Sequence, residues 1–316
     1  PSDNIADLPV RTLSKTTKGY FENCLIDNLH QRQIAIKLRN LIHNPAFVDF
    51  DYAADKTFTA QQAYDGAQGN CLGYSHLYLT LARHFGLKAH YQLIESDPTM
   101  VLKDQKISLS IHVNVVVKFP DGSTFTADTA PNQQHLIKKG QLISDDSSDA
   151  LHYNNLAISA VLNDDFTTGY QYLAKSLSLD SSLPLLWSNA GALLRKNNQQ
   201  KDAETSLRNA LALDSRAYPA LNNLAVLYHQ QGDDVRSQFY INKIRLFRAR
   251  SPFHHYNLAL LEISKNNFPK ALKLVNEAIR LKDNEAEFYF QQSLIYQHLS
   301  DLTNSQQALD LAFVYN

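Results

Sequence analysis

Three side chains in the first half of this 316-residue chain have the types needed for nucleophilic acyl chemistry: Cys71, His112 and Asp128. A cysteine attacks a carbonyl carbon as its thiolate, a histidine moves the proton, and a carboxylate holds the imidazole in its working tautomer. The chain has one other cysteine, Cys24, and two thiols make no disulfide framework. Cys24 lies in FENCLIDNL, an amphipathic pattern in which a thiol serves as a small buried hydrophobe. Cys71 has a different setting. Gly66 and Gly69 break the chain before it, and Leu72, Leu77, Leu81 and Phe85 follow at helical spacing until Gly86. Cys71 is therefore expected at a helix N-terminus, where oriented N–H dipoles favour the thiolate.

The elements around it must bring the other two residues to that point. Residues 21–43 read as one long helix that stops at Asn44, ahead of Pro45. A polar loop and the short TAQQAYD helix follow, then the Cys71 helix and an apolar strand over 90–94. The segment SLSIHVNVVVKFPDGSTFTADTAP reads as a hairpin with a three-residue Pro-Asp-Gly loop and Gly122 in the left-handed position. That loop pairs Phe119 with Ser123, Val117 with Phe125, Val115 with Ala127 and Asn114 with Asp128. His112 and Asp128 then share one face, one pair apart, on a diagonal of about 7–8 Å. A two-residue loop would place them on opposite faces.

These residues resemble the transglutaminase-like family. Its core runs Gly-x-Cys, a helix ending Leu-Ala-Arg-x-x-Gly-hydrophobic-x-Ala, and then strands carrying His and Asp. The chain has Gly69-Asn70-Cys71, then Leu81-Ala82-Arg83 through Gly86-Leu87-Lys88-Ala89, then His112 and Asp128. The resemblance spans roughly residues 55–135. Asn114 departs from it where many members have an aromatic after the His, and Thr129 replaces a common Pro after the Asp. The resemblance implies an α+β, papain/transglutaminase-like domain over 1–145. In it Cys71 attacks the carbonyl, His112 shuttles the proton and Asp128 orients the ring. Gln61, Gln62 and Gln68 are candidate oxyanion donors, among which sequence does not choose. His76, His84 and His90 are read as packing or surface groups. The competing reading keeps the fold but makes Cys71 only a small core hydrophobe.

From about residue 150 a different order takes over. Small residues recur every 34 positions at Ala157, Gly191, Ala225, Ala259 and Ser293, and again at Gly169, Ala203, Ser237, Ala271 and Ser305. Large apolar residues repeat at Leu173, Leu207, Ile241, Val275 and Leu309. Small residues suit close helix crossings and large ones fill the layers between, so the pattern predicts an all-α solenoid of antiparallel helix pairs over 150–316. Period and pattern resemble the tetratricopeptide repeat in five copies, with Ile244 and Gln292 departing from it and predicting local distortion. Carrying over the family's groove positions yields an apolar surface late in the array: Phe253, Tyr256, Leu260, Ile263, Phe290 and Leu294. A protein or peptide partner is expected there, the alternative being that this face packs on the chain's own N-terminal domain. The acidic run at 144–149 is expected to cap the first repeat helix and hold the domains close. Phe288, Tyr289, Leu294, Ile295, Phe313, Val314 and Tyr315 leave the last repeat rich in apolar side chains, and those expected to stay uncovered suggest self-association or a partner at this face.

Bulk properties narrow the rest. With Lys+Arg 30 against Asp+Glu 31 the net charge is -1, so nothing draws the chain as a whole to nucleic acid. No apolar stretch is long enough for a transmembrane segment. The basic cluster Lys243, Arg245, Arg248 and Arg250 reads as a solvated helix face, and His229, His254 and His255 lack ligand spacing, so no metal or other cofactor is called for. A start at Pro1 hints at a processed, exported or cell-envelope protein. Two functions stand: a cysteine hydrolase or transamidase with a repeat scaffold, and a non-catalytic interaction scaffold. Hydrolysis is preferred over cross-linking by analogy with bacterial transglutaminase-like proteases.

Overall fold

A computed structural model of the chain describes residues 5–25, 29–95, 111–129 and 140–315. It divides into two compact units, one ending at Ser215 and the other beginning its repeat portion at Arg216. The boundary expected at 145–150 falls inside the first unit.

The single long helix expected over 21–43 is two helices. The first, α1 (Lys15–Cys24), starts earlier because the Ser14 hydroxyl accepts from Thr17 N at 3.0 Å, and Leu25 leaves helical geometry. The second, α2 (Gln31–His43), starts where the Gln33 side chain accepts from His30 N, and it ends before Asn44 and Pro45. Residues 26–28 of the expected helix lie outside the described residues. A two-stranded parallel pair, β1 (Asp51–Tyr52) and β2 (Gln68–Gly69), flanks α3 (Ala60–Asp65), whose Thr59 and Gln62 form a capping box. Next comes α4 (Cys71–His84), with Gly86 in the left-handed region at φ 75°.

Four antiparallel strands pack on α4: β3 (Lys88–Glu95), β4 (Ile111–Lys118), β5 (Thr124–Ala127) and β6 (Gln141–Ile143), in the order β5-β4-β3-β6. The β4–β5 register pairs Val115 with Ala127 and Val117 with Phe125, and Phe119 N donates to Ser123 O. Gly122 sits at φ 82°, so the turn chemistry sets this register. Leu77, Leu81, Tyr91, Val113, Val115 and Val117 form the core between sheet and helix.

That core continues into the first repeat helices. Ala150 and Leu151 of α5 (Asp145–Leu162) and Leu186 of α7 (Pro184–Lys196) belong to the same buried cluster. Ser144 caps α5 by accepting from Ser147 N at 3.0 Å. Arg83, near the end of α4, grips Asp145 with both guanidinium nitrogens at 2.6 and 3.0 Å. Arg11 pairs with Asp149, and Leu8 N donates to the Tyr153 hydroxyl at 2.8 Å. Two histidines meet inside this junction. His76 is hydrogen-bonded to the Tyr91 hydroxyl at 2.7 Å, and its ring lies 5.3 Å from that of His152.

Within the first unit, α5 packs on α6 (Phe166–Leu179) and α7 on α8 (Gln200–Leu213). Gly169 and Gly191 are there because a Cβ would meet Val161 at 2.5 Å and Leu207 at 2.4 Å. The second unit has three such pairs: α9 (Tyr218–Gln230) with α10 (Asp234–Ala249), α11 (Pro252–Ser264) with α12 (Phe268–Leu281), and α13 (Ala286–His298) with α14 (Leu302–Val314). At the same register serine replaces glycine, and its hydroxyl bonds the facing helix: Ser237 Oγ to Ala225 O, and Ser305 Oγ to Ser293 O. Each pair turns on one left-handed residue, again 34 apart: Asp164, Asn198, Gly232, Asn266 and Ser300. The distortion expected at Ile244 is absent. That side chain is buried and α10 runs through it unbroken, while Gln292 donates to Asn276. The repeat part is thus a tetratricopeptide-like array of helix pairs.

Candidate active site

Cys71 is the first residue of α4, and the cap behind it is strong. Asn70, itself buried, accepts from Leu72 N at 3.1 Å and Gly73 N at 3.2 Å, while its amide donates to Thr57 Oγ1 at 2.7 Å. Asn70 is therefore tied to the loop on one side and the helix on the other, which fixes the start of α4 and the position of the thiol.

His112 is the second residue of β4, and Asp128 follows β5, opposite Asn114 by continuation of the register. The diagonal closes: His112 Nε2 lies 2.7 and 2.8 Å from the two Asp128 oxygens. The same imidazole lies close enough to Cys71 for the thiol to act on its pKa. Nε2 is committed to the carboxylate, so Nδ1 is the nitrogen left for the thiol. Burial pushes the His112 imidazolium down, but its hydrogen bond to Asp128, its interaction with Cys71 and the charges of both outweigh this and hold its pKa up at about 10. The structure brings all three predicted residues together. Cys71 is buried at about 9 % exposure, the His112 side chain is about 29 % exposed, and Asp128 lies buried behind the ring, so His112 is the open edge of the group.

Several partners of this group carry no motif in the sequence. Asn114 Nδ2 donates to Asp128 Oδ2 at 3.1 Å, and Thr129 Oγ1 donates to Oδ1 at 3.2 Å. His43, at the end of α2, donates Nε2–H to the Asp128 carbonyl at 3.3 Å and stacks on Tyr74. Burial lowers the His43 pKa, which keeps this ring neutral. Tyr52 stands exposed on β1 opposite Gly69; burial and then the charge of Cys71 raise its phenol pKa. The only signal for Asn114 and Thr129 was that both depart from the family pattern.

Of the three glutamines considered as oxyanion donors, two are occupied. Gln61 accepts from Ser14 N and donates to Thr17 and Asp65, and Gln62 accepts from Thr59 N. Gln68, half-buried on β2, makes no side-chain hydrogen bond among the described residues. His76, His84 and His90 lie outside the group: His76 is buried against Tyr91, His84 pairs with Glu22, and His90 lies on β3. Among the described residues no cluster of three or more His, Cys, Asp or Glu side chains could hold a metal ion, and no helix is long and apolar enough to cross a membrane.

The second expected surface is more divided. Leu260 and Phe290 are exposed, and Phe253, Ile263 and Leu294 are half-buried. Tyr256 is a correction. It is buried between α11 and α13, its ring against Phe288 and its hydroxyl donating to Glu287 at 2.8 Å, so it offers almost no surface.

No protein-family model matches the chain, and no curated protein matches it. Among solved structures, the chain is similar over about half its length to repeat proteins. MamA (residues 41 to end) from Desulfovibrio magneticus RS-1 is 13% identical, with 54% of this chain and 96% of that one covered and a TM-score of 0.30. PilF of Pseudomonas aeruginosa is 18% identical, covering 55% and 79%, with a TM-score of 0.31. YrrB, described as a TPR protein with an unusual peptide-binding site, is 15% identical, covering 53% and 87%, with a TM-score of 0.29.

Proposed function

We propose that the chain is a cysteine-dependent acyl-transfer enzyme of transglutaminase-like type, an amide or peptide hydrolase or transamidase, carried on a repeat scaffold that binds a protein or peptide. The observation that carries this reading is the His112 imidazole held by Asp128 at 2.7 Å and near enough to Cys71 to be shifted by it, with Cys71 at the start of a capped helix. Asp128 holds His112 with Nε2–H towards the carboxylate. His112 shares its other nitrogen with the thiol, takes its proton and returns it to the leaving amine. The Cys71 sulfur attacks the substrate carbonyl, giving a thioester and a free amine. Water then cleaves the thioester in hydrolysis, and a second amine does so in transamidation. The backbone N–H of Cys71 and the Gln68 amide are the donors at hand for the oxyanion, since Leu72 N and Gly73 N are taken by Asn70. Leu260 and Phe290, with their half-buried neighbours, are the apolar contacts for the partner.

The second reading is a non-catalytic interaction scaffold. The repeat fold itself favours it, since helix pairs fill the greater part of the chain. Alkylation separates the two. With iodoacetamide in limiting amount, the catalytic reading expects label on Cys71 well before Cys24, and expects His112→Ala to abolish that preference. Equal labelling of the two thiols, with Cys71 accessible, would leave the scaffold reading alone.

A further inference from the structure

The two departures from the transglutaminase-like pattern, Asn114 and Thr129, meet on one carboxylate. Asp128 is about 3 % exposed, and each of its oxygens has a donor besides His112: Asn114 Nδ2 on Oδ2 at 3.1 Å and Thr129 Oγ1 on Oδ1 at 3.2 Å. A carboxylate turns about its Cβ–Cγ bond, and these bonds oppose that turn from both sides. Asn114 is a costly way to fill a central strand. It is fully buried, and its Oδ1 has no partner among the described residues. A buried polar group left half-satisfied is disfavoured by folding alone, so a β-branched residue would suit this strand better. Its neighbours along β4, Val113, Val115, Val116 and Val117, are all of that kind.

We propose that Asn114 and Thr129 are positioning residues: together they lock the Asp128 carboxylate face-on to His112, where many members of the family that the sequence resembles have an aromatic and a proline. The proposal rests on the catalytic reading above. It distinguishes this chain's site as one whose orienting carboxylate is held by side-chain amide and hydroxyl donors, with the His43 ring bonded to the Asp128 carbonyl behind it.

The test uses the full chain with Cys24→Ser, so that Cys71 is the one thiol, and follows alkylation by iodoacetate against pH. The anionic reagent is drawn by the His112 imidazolium, so its rate falls when that proton leaves, near pH 10. Thr129→Val removes one donor with no change of shape. Asn114→Leu removes the other, and Thr129→Ser restores the first. Positioning expects the upper limb to move down by about one pH unit in the double variant and by less in Thr129→Val, with Thr129→Ser at the starting value; an opposite charge that loses its geometry shifts a pKa on this scale. Urea midpoints run in parallel show whether Asn114→Leu folds, and Thr129→Val alone carries the test where it does not. A limb that stays put or moves up in every variant, on a wild type that shows one, overturns the positioning role and leaves the triad standing. A wild type whose Cys71 reacts like a free thiol, with no upper limb, overturns the triad and the positioning role with it.

Discussion

Acid should loosen the junction between the Cys71 helix and the repeats, and His152 sets the scale. This ring, on α5, is about 1 % exposed, and its Nδ1 has no partner among the described residues. Burial lowers its pKa from the ordinary 6.5 to about 4. His76 beside it is pushed well below the ordinary value by burial and then by the charges of His152 and Arg11. The folded state thus holds these bases neutral, so the stability they contribute is complete above about pH 6.5 and is lost as the pH falls towards 4. For His152 the gap between 6.5 and about 4 is worth about 3 kcal/mol in full, of which about 2 kcal/mol is gone by about pH 5. His112 works in the other direction: its raised pKa adds stability below about 6.5 that is lost as pH rises through about 10. A comparison of wild type with His152→Phe cancels that contribution, since His112 is common to both. Trp187, the only tryptophan, lies on α7 in the same unit and reports its urea unfolding by fluorescence. Between about pH 8 and about pH 5 the wild type should lose about 2 kcal/mol more than His152→Phe. Equal losses in the two proteins would show that His152 is not held neutral by burial, and the reasoning would fail.

Three further outcomes follow from the packing. Gly191→Ala should destabilise the first unit by about 1–3 kcal/mol, read from the same Trp187 transition, because the new methyl group would clash with Leu207 at 2.4 Å and crowd the Ala203 carbonyl at 3.1 Å. Leu260→Asp with Phe290→Asp should weaken capture of a bound peptide at least about tenfold in a peptide-array titration while leaving Cys71 alkylation unchanged; Tyr256→Phe, which keeps the buried ring, should leave capture intact. Phe313 is 72 % exposed and Val314 73 %. A sedimentation series should therefore show concentration-dependent association that Phe313→Glu abolishes, and a monomer throughout would exclude self-association by this face.

The parts of this chain that were legible in its sequence are those where one residue type answers one geometric demand. A 34-residue recurrence of small residues can be met only by repeated close crossings, and Gly169 and Gly191 touch the facing helix as that demands. The Pro-Asp-Gly loop fixed a register, and the register put His112 and Asp128 on one face. What stayed hidden depended on partners distant in sequence. Amphipathic spacing continued from 21 to 43, so the break between α1 and α2 left no mark on it, and a His30–Gln33 cap is not a usual start signal. Asn114 and Thr129 looked like departures because their common acceptor was invisible. Tyr256 fell on a groove position by repeat register but is covered by Phe288 from the next pair, which register alone does not reveal.

The grip of Arg83 on Asp145 has a consequence for where this protein can be divided. A break at 145–150, where the composition changes, would part Arg83 from its carboxylate, strip Leu8 of the Tyr153 hydroxyl and leave Leu77, Tyr91 and their neighbours without Ala150, Leu151 and Leu186. The fragment bearing Cys71 would then present a raw apolar wall to water and clump. Anyone wishing to obtain the thiol centre by itself should retain the chain through the second helix pair, to Ser215, and treat those helices as part of its wall.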